Sequence, residues 1–164
     1  MLNLNIKVIP VQLITGTVMV PVCSKKVWDC IKQYNNSEQA AHKICGMLLP
    51  GVPLDLCDEK LLVIQYAETI KEIRRQLKFE IPYYPAKKEQ DDIKYTIYTC
   101  GEKLVADYAG LNLYEIDMIP ILEYWMLERD AVIYSYSRTE KGREYLNNAY
   151  RLEQVEADEE LGEF

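Results

Sequence analysis

The sequence is poor in the residue types that many enzymes use for chemistry. It has a single histidine, His42, and its seven glycines occur singly rather than in a loop of the kind that cradles phosphates. No uninterrupted apolar stretch approaches the roughly 18 residues that a transmembrane helix needs. These absences argue against a phosphate-loop enzyme and against a membrane-spanning protein.

Basic residues are also scarce, with 19 Lys and Arg against 26 Asp and Glu, which gives a net charge of −7. Nucleic-acid-binding proteins usually carry the opposite balance or a dense basic stripe. The N-terminus lacks the basic start and apolar run of a signal peptide. The five cysteines are an odd number and suit reduced thiols. We therefore expect a cytoplasmic protein without nucleic-acid or membrane partners.

Two residue groups could in principle support nucleophilic or metal chemistry. His42 and Cys45 are three residues apart and share a helix face, but the sequence offers no third group to orient the imidazole. Cys23 and Cys30 could join them as zinc ligands, yet the spacings differ from the tight pairs of common zinc sites. A solvated or capping histidine beside a buried cysteine is the preferred interpretation.

Acidic pairs are the remaining candidates for a metal-dependent reaction. Glu68 and Glu72 are four residues apart, and Glu102 and Asp107 are five apart. The first pair flanks a basic segment, as is typical of a solvated, salt-bridged helix face. We predict no catalytic, cofactor-binding or metal-binding residue, so a non-enzymatic binding or assembly protein is favoured.

The chain is predicted to be mainly α (α+β), a single helical-bundle-like domain of five or six helices with an N-terminal β-hairpin. Residues 1–22 are rich in Val, Ile and Thr with Gly16 as a turn residue, which is typical of two short strands. These strands must pack on the helices or pair with a neighbouring chain's edge. Residues 24–156 are predicted to be helical, and the acidic tail over 157–164 is predicted to fray. Predicted helix starts are Ser24, Ser37, Asp55 or Asp58, about Gln90, Asp117 and Ser137, and Gly110 is a predicted helix end.

Tyrosine is unusually abundant, with thirteen tyrosines against two phenylalanines. A tyrosine suits a site with one dry end and one wet end, and protein interfaces enrich it for that reason. Tyr83 and Tyr84 lie between prolines in "IPYYP", where a constrained loop can present both rings outward. The segment from 113 to 136 adds an aromatic-rich helical region, so the sequence predicts docking surfaces for other proteins.

The C-terminal part of the chain, about residues 111–156, resembles small proteins encoded among the tail genes of bacteriophages and prophages, which are regarded as tail assembly chaperones. The matching elements are Leu113-Tyr114-Glu115, Tyr124-Trp125, Arg129-Asp130-Ala131 and "TEKGREYL" at 139–146. The resemblance implies a protein that acts in the host bacterial cytoplasm, where it binds the long helical tape-measure protein and keeps it soluble until tail-tube subunits assemble around it.

That resemblance implies docking and self-association rather than catalysis. The candidate partner is the tape-measure protein or another helical phage tail protein, and copies of the chain are expected to associate along it. The candidate partner-binding residues are Tyr83, Tyr84, Tyr114, Ile121, Trp125 and Tyr136.

Two alternatives remain open at this point. One is a phage-encoded inhibitor of a host protein, of an acidic DNA-mimic or anti-defence type, although basic residues are interleaved with the acids. The other is a metal-dependent helical hydrolase. The salt dependence of binding distinguishes the inhibitor from a chaperone. A DNA mimic loses affinity steeply as ionic strength rises, whereas an apolar contact does not.

Overall fold

The computed structural model describes residues 6–85 and 99–162, which are mainly helical and begin with an antiparallel β-hairpin. This confirms the predicted fold class. The described elements are β1 (Val8–Leu13), β2 (Gly16–Pro21), α1 (Lys25–Lys32), α2 (Glu38–Leu48), α3 (Leu56–Gln76), α4 (Cys100–Ala109), α5 (Leu113–Met118), α6 (Ile121–Ser137) and α7 (Glu140–Gly162). The helix predicted from about Gln90 corresponds to α4, and its predicted part before residue 99 lies outside the described residues.

The hairpin pairs within one chain. Val8 lies opposite Pro21 and Leu13 lies opposite Gly16, so Ile14 and Thr15 form the turn. Gly16 has a φ of 137°, which residues with a side chain rarely adopt. Alternate residues of β1 are buried against α3, as expected for a strand with one covered face.

Three hydrogen bonds that involve side chains attach the hairpin and the residues just after it to α3. The buried Tyr66 hydroxyl accepts a bond from the backbone N–H of Cys23 at 2.7 Å and donates one to the carbonyl of Pro21 at 2.9 Å. At the other end, the Thr15 hydroxyl donates to Asp58 Oδ2 at 2.9 Å. Both ends of the hairpin are therefore fixed to one helix, which compensates for the marginal stability of an isolated two-stranded sheet.

Several predicted helix boundaries are confirmed by their capping contacts. The Ser37 hydroxyl accepts from the backbone N–H of Ala40, and the Asp55 carboxylate accepts from that of Asp58. Gly110 ends α4 in the left-handed conformation, with a φ of 70°. Ser24 is the N-cap of α1 without a side-chain capping bond.

The predicted start of a helix at Asp117 is wrong, because two helices occupy this region. Asn112 caps α5: its side chain accepts from the backbone N–H groups of Tyr114 and Glu115, and Glu115 accepts from the N–H of Asn112. Ile119 then takes an extended conformation, since Pro120 disfavours a helical residue before it. A new helix, α6, starts at Ile121, and this extra division explains why seven helices are described rather than five or six.

The predicted cap at Ser137 is also displaced. Ser137 is the last residue of α6, and its hydroxyl donates to the carbonyl of Tyr134. The hydroxyl of Thr139 accepts from the N–H of Gly142 at 3.0 Å and starts α7 two residues later than predicted. The backbone of α7 continues helically to Gly162, beyond the boundary predicted at residue 156, through a run of good helix formers.

The chain divides into two compact units, whereas the single domain over 1–156 stays a prediction. Unit 1 consists of Met1–Phe79 and Asn112–Trp125, and unit 2 consists of Glu80–Leu111 and Met126–Phe164. Within unit 1, residues 24 and 120 are joined by a β-bridge, with Lys25 N–H bonded to the Ile119 carbonyl and Ile121 N–H bonded to the Cys23 carbonyl. The largest fully buried side chains of unit 1 are Ile9, Val11, Val20, Leu62, Val63, Tyr66, Ile70, Ile116, Ile121 and Leu122.

Candidate functional site

The six candidate partner-binding residues do not form one site. Tyr114 and Tyr83 are the most exposed of them, at 87% and 69%. Tyr136 is exposed and Tyr84 is half-buried. By contrast, Ile121 is 1% exposed and Trp125 is 5% exposed, so neither side chain can meet a partner in this conformation. The docking role predicted for these two residues is therefore replaced by a structural one.

Trp125 and Ile121 belong to the core of unit 1. The rings of Trp125 and Trp28 meet edge to face with centroids 5.1 Å apart. The guanidinium of Arg74 lies 4.5 Å from the centre of the Trp125 ring, in a cation–π contact. The sequence signal at Trp125, an apolar stripe on a helix, is common to core and docking residues, and only the tertiary partners distinguish the two.

Helix α5 instead presents an exposed apolar surface, which we call the α5 surface and define as Leu113, Tyr114 and Met118. All three side chains are exposed, Met118 to 71%, while Ile116 on the same short helix is completely buried. Tyr114 and Met118 are four residues apart and lie on one side of the helix. The buried Ile116 thus fixes the helix, and the opposite side remains available for contact.

The α5 helix is short, but local contacts fix both of its ends. The reciprocal Asn112–Glu115 capping bonds hold its first turn, and the extended Ile119 ends it. The α5 surface contains an open depression of about 540 Å³, whose lining is mostly apolar. The depression is lined by Asn112, Tyr114, Glu115, Met118 and Ile119.

Sequence reasoning identified Tyr114 but missed Met118 and Leu113. The signal for Met118 was its position four residues after Tyr114, which makes the two neighbours on a helix. A helix that starts at Asp117, as predicted above, leaves Tyr114 outside the helix, so this spacing is not recognised as a helical one. The Asn112-to-Glu115 spacing is the capping pattern that would have found α5.

Unit 2 holds a second aromatic group around Tyr145. The Tyr145 hydroxyl accepts from the backbone N–H of Tyr84 at 3.0 Å, and its ring lies 5.0 Å from that of Tyr136. Tyr84 also meets Tyr145 edge to face at 6.2 Å. Tyr84 and Tyr136 are thus partly occupied by contacts within the unit, while Tyr83 projects into solvent. A small depression of about 170 Å³ nearby is lined by Pro82, Arg129, Ile133, Leu146, Tyr150 and Glu153.

The structure supplies the third group that the sequence did not reveal for His42 and Cys45. Glu59 Oε1 lies 2.9 Å from His42 Nδ1, and the Cys45 thiol donates to the backbone carbonyl of Glu59 at 3.4 Å. Burial raises the pKa of the Cys45 thiol to about 12, with the Glu59 carboxylate acting in the same direction. A nucleophilic cysteine needs a lowered pKa, so Cys45 is a poor nucleophile in this environment.

At least one member of each acidic pair has a local partner. Glu72 accepts hydrogen bonds from Arg75 and Gln76, and the bonds from Arg75 and Gln76 lower its pKa. Asp107 pairs with Lys103 one turn earlier on α4. Within residues 6–85 and 99–162, no three His, Cys, Asp or Glu side chains group in a way that could hold a metal ion.

Comparison with known proteins gives no assignment: no protein-family model matches the chain, and neither curated proteins nor solved structures give a match. None of the described helices combines the length and the apolar character required to cross a bilayer. The site must therefore be interpreted from its own geometry.

Proposed function

We propose that the chain is a non-enzymatic tail assembly chaperone, which binds a tape-measure protein in the host cytoplasm and keeps it soluble until the tail tube assembles. The observation that carries this proposal is the α5 surface, an exposed Leu113–Tyr114–Met118 group on a capped helix. Apolar helix faces commonly dock in shallow apolar depressions of this kind. The client's corresponding feature is an apolar face that would otherwise aggregate.

The size of the α5 surface favours weak, repeated binding. Burying one large apolar side chain contributes about 1.5–3 kcal/mol, so three contribute at most about 9 kcal/mol. Association itself costs on the order of 4–15 kcal/mol in lost freedom. One contact alone therefore binds weakly, and several copies along a long client would bind through avidity. Weak individual contacts also allow the chaperone to leave when the tube closes.

Charge supports the same role. The net charge of −7 keeps a chaperone–client assembly soluble while its apolar faces are in contact. Glu115 and Asp117 lie on α5 itself, so a client helix whose apolar face is flanked by Lys or Arg is favoured over one flanked by acids.

Co-expression tests the proposal. The tape-measure protein of the same phage or prophage genome should be largely insoluble alone and become soluble with the wild-type chain. The double variant Tyr114→Ala/Met118→Ala should lose most of this effect while retaining its thermal melting temperature. Tyr150→Ala, which removes an exposed tyrosine from unit 2, is the matched control and should behave like the wild type.

A tape-measure protein that is equally soluble with the double variant would contradict the role of the α5 surface. Binding to the tape-measure protein should weaken only modestly between low and high salt, because apolar contacts are insensitive to screening. A DNA mimic would instead bind a host protein, with an affinity that falls steeply as salt rises.

A further inference from the structure

The N-terminal hairpin has an apolar outer face, which we define as Val8, Pro10, Met19 and Pro21. The opposite face, with Ile9, is buried against α3. In the register of the hairpin, Val8 lies opposite Pro21 and Pro10 opposite Met19, so the outer face forms two adjacent cross-strand pairs. All four residues are exposed, Met19 to 54%.

The edges of this hairpin are poorly suited to accept another strand. The Val22 N–H bonds to the Lys7 carbonyl, so alternation along the ladder directs the backbone groups of the 8/21 and 10/19 pairs outward. Pro10 and Pro21 occupy two of these outward positions, and neither has an N–H to donate. Each edge thus lacks a donor where an added strand would need one. A partner for this hairpin is expected over its face rather than along its edge.

The hairpin is also the least charged part of the chain. Lys7 is the only charged residue among the first 24, and the first acid in the sequence is Asp29. The remainder carries 26 acidic residues against 18 basic ones. Two copies of a protein with this charge repel each other over most of their surfaces. Their repulsion is smallest where the hairpins approach each other.

We propose that the outer face of the hairpin is a self-association surface, on which two copies of the chain pack hairpin to hairpin about a two-fold axis. A two-fold contact requires a surface that is complementary to itself, which an uncharged, flat apolar face provides. Two sheets pack face to face at about 10 Å, a geometry that another hairpin matches better than a helix does. Met19 of each copy lies near the axis.

The contact is expected to be weak because the buried area is small. A specific interface usually buries about 800 Å² per partner, more than four side chains supply. Ile14 at the turn tip and Ile6 before β1 are exposed as well and extend the apolar area. The dimer is expected to form at micromolar protein concentrations. A dimer would carry two α5 surfaces and so supply the avidity that weak client binding needs. Only this use of the dimer rests on the proposed function.

Sedimentation velocity of the purified chain, without any client, tests the self-association. The wild type should change from monomer to dimer with rising concentration, up to about 100 µM. Met19→Lys and Met19→Glu should each be monomeric over that range. An equimolar mixture of the two variants should recover dimer at low salt, because Lys and Glu then face each other across the axis.

Met118→Lys on the α5 surface is the matched control and should dimerise like the wild type. Circular dichroism melts should show that the Met19 variants remain folded, as expected for an exposed side chain. A wild type that stays monomeric, Met19 variants that dimerise normally, or a mixture that stays monomeric would each overturn the proposal. None of these results depends on the tape-measure protein, so they leave the co-expression test independent.

Discussion

The indole rings of Trp28 and Trp125 meet edge to face, with their centroids 5.1 Å apart, although nearly a hundred residues separate them in sequence. The contact joins α1 to the first turns of α6 inside unit 1. It identifies Trp125 as a core residue, and this changes how substitutions in the aromatic segment have to be interpreted.

Trp125→Ala should destabilise the protein by about 3–5 kcal/mol, because it removes a large buried ring and leaves a cavity. Urea denaturation followed by circular dichroism measures this loss. Tyr114→Ala, at an exposed position, should change the free energy of unfolding by no more than about 0.5 kcal/mol. Comparable losses for the two variants would mean that Trp125 is not packed as described.

Gly142→Ala should destabilise the turn between α6 and α7. A β-carbon at this position would lie 2.1 Å from the backbone carbonyl oxygen of Tyr136, so the backbone would have to move. The matched control is Gly46→Ala in α2, where a β-carbon meets nothing within 4 Å. There the substitution should stabilise by up to about 1 kcal/mol, the usual gain of alanine over glycine in a helix. Thermal melts of the two variants should therefore shift in opposite directions.

Tyr66→Phe should cost about 1–3 kcal/mol, since it leaves the buried N–H of Cys23 and the carbonyl of Pro21 without the hydroxyl that serves both. The ring and its packing are retained, so the loss reports the hydrogen bonds alone. Chemical denaturation measures it. Hydrogen exchange at the Cys23 amide should accelerate in the variant, and an unchanged rate would count against the assigned contact.

Stability should fall at alkaline pH. Burial raises the pKa of Cys23 to about 11 and that of Cys45 to about 12, whereas their ordinary value is 9.0. The folded state therefore holds two protons that the unfolded chain releases near pH 9. This contribution is complete below pH 9 and is lost as the pH rises towards the folded values, by up to about 1.4 kcal/mol per pH unit for each thiol.

Denaturation midpoints between pH 8 and 10.5 measure this dependence. The double variant Cys23→Ala/Cys45→Ala should show a shallower decline because the two titrating groups are gone. An unchanged slope would mean that other groups dominate the alkaline range.

The parts of this fold that the sequence predicted correctly are those governed by neighbouring residues. Ser37 and Asp55 cap helices through amides three residues away, and Gly110 ends one through its own backbone freedom. The hairpin followed from β-branched residues around a glycine turn. Such signals need no knowledge of the rest of the chain.

The division between α5 and α6 also depends on neighbouring residues, but this segment contains two competing signals for a helix start. Asp117 before Pro120 predicts a helix that starts at Asp117. Asn112 before Glu115 predicts a helix that starts five residues earlier. The extended Ile119 decides between them, and its conformation follows from the proline that comes next.

The candidate site was only partly predictable for a different reason. An apolar stripe shows that one side of a helix avoids water, without showing whether the same chain or another protein covers it. Trp125 packs against Trp28 and Arg74, whereas the side chain of Tyr114 remains exposed to solvent. These outcomes depend on contacts between distant segments, and periodicity carries no information about them.

The bridge between residues 24 and 120 has a consequence for synthesis of the chain. Unit 1 needs α5 and the start of α6 to cover its hairpin-bearing half, so its core stays incomplete until residue 125 has left the ribosome. The segment between the two parts of unit 1, residues 80–111, is therefore synthesised before unit 1 can be completed. A nascent chain stalled before Trp125 should thus remain protease-sensitive, and one released a few dozen residues later should resist cleavage in unit 1.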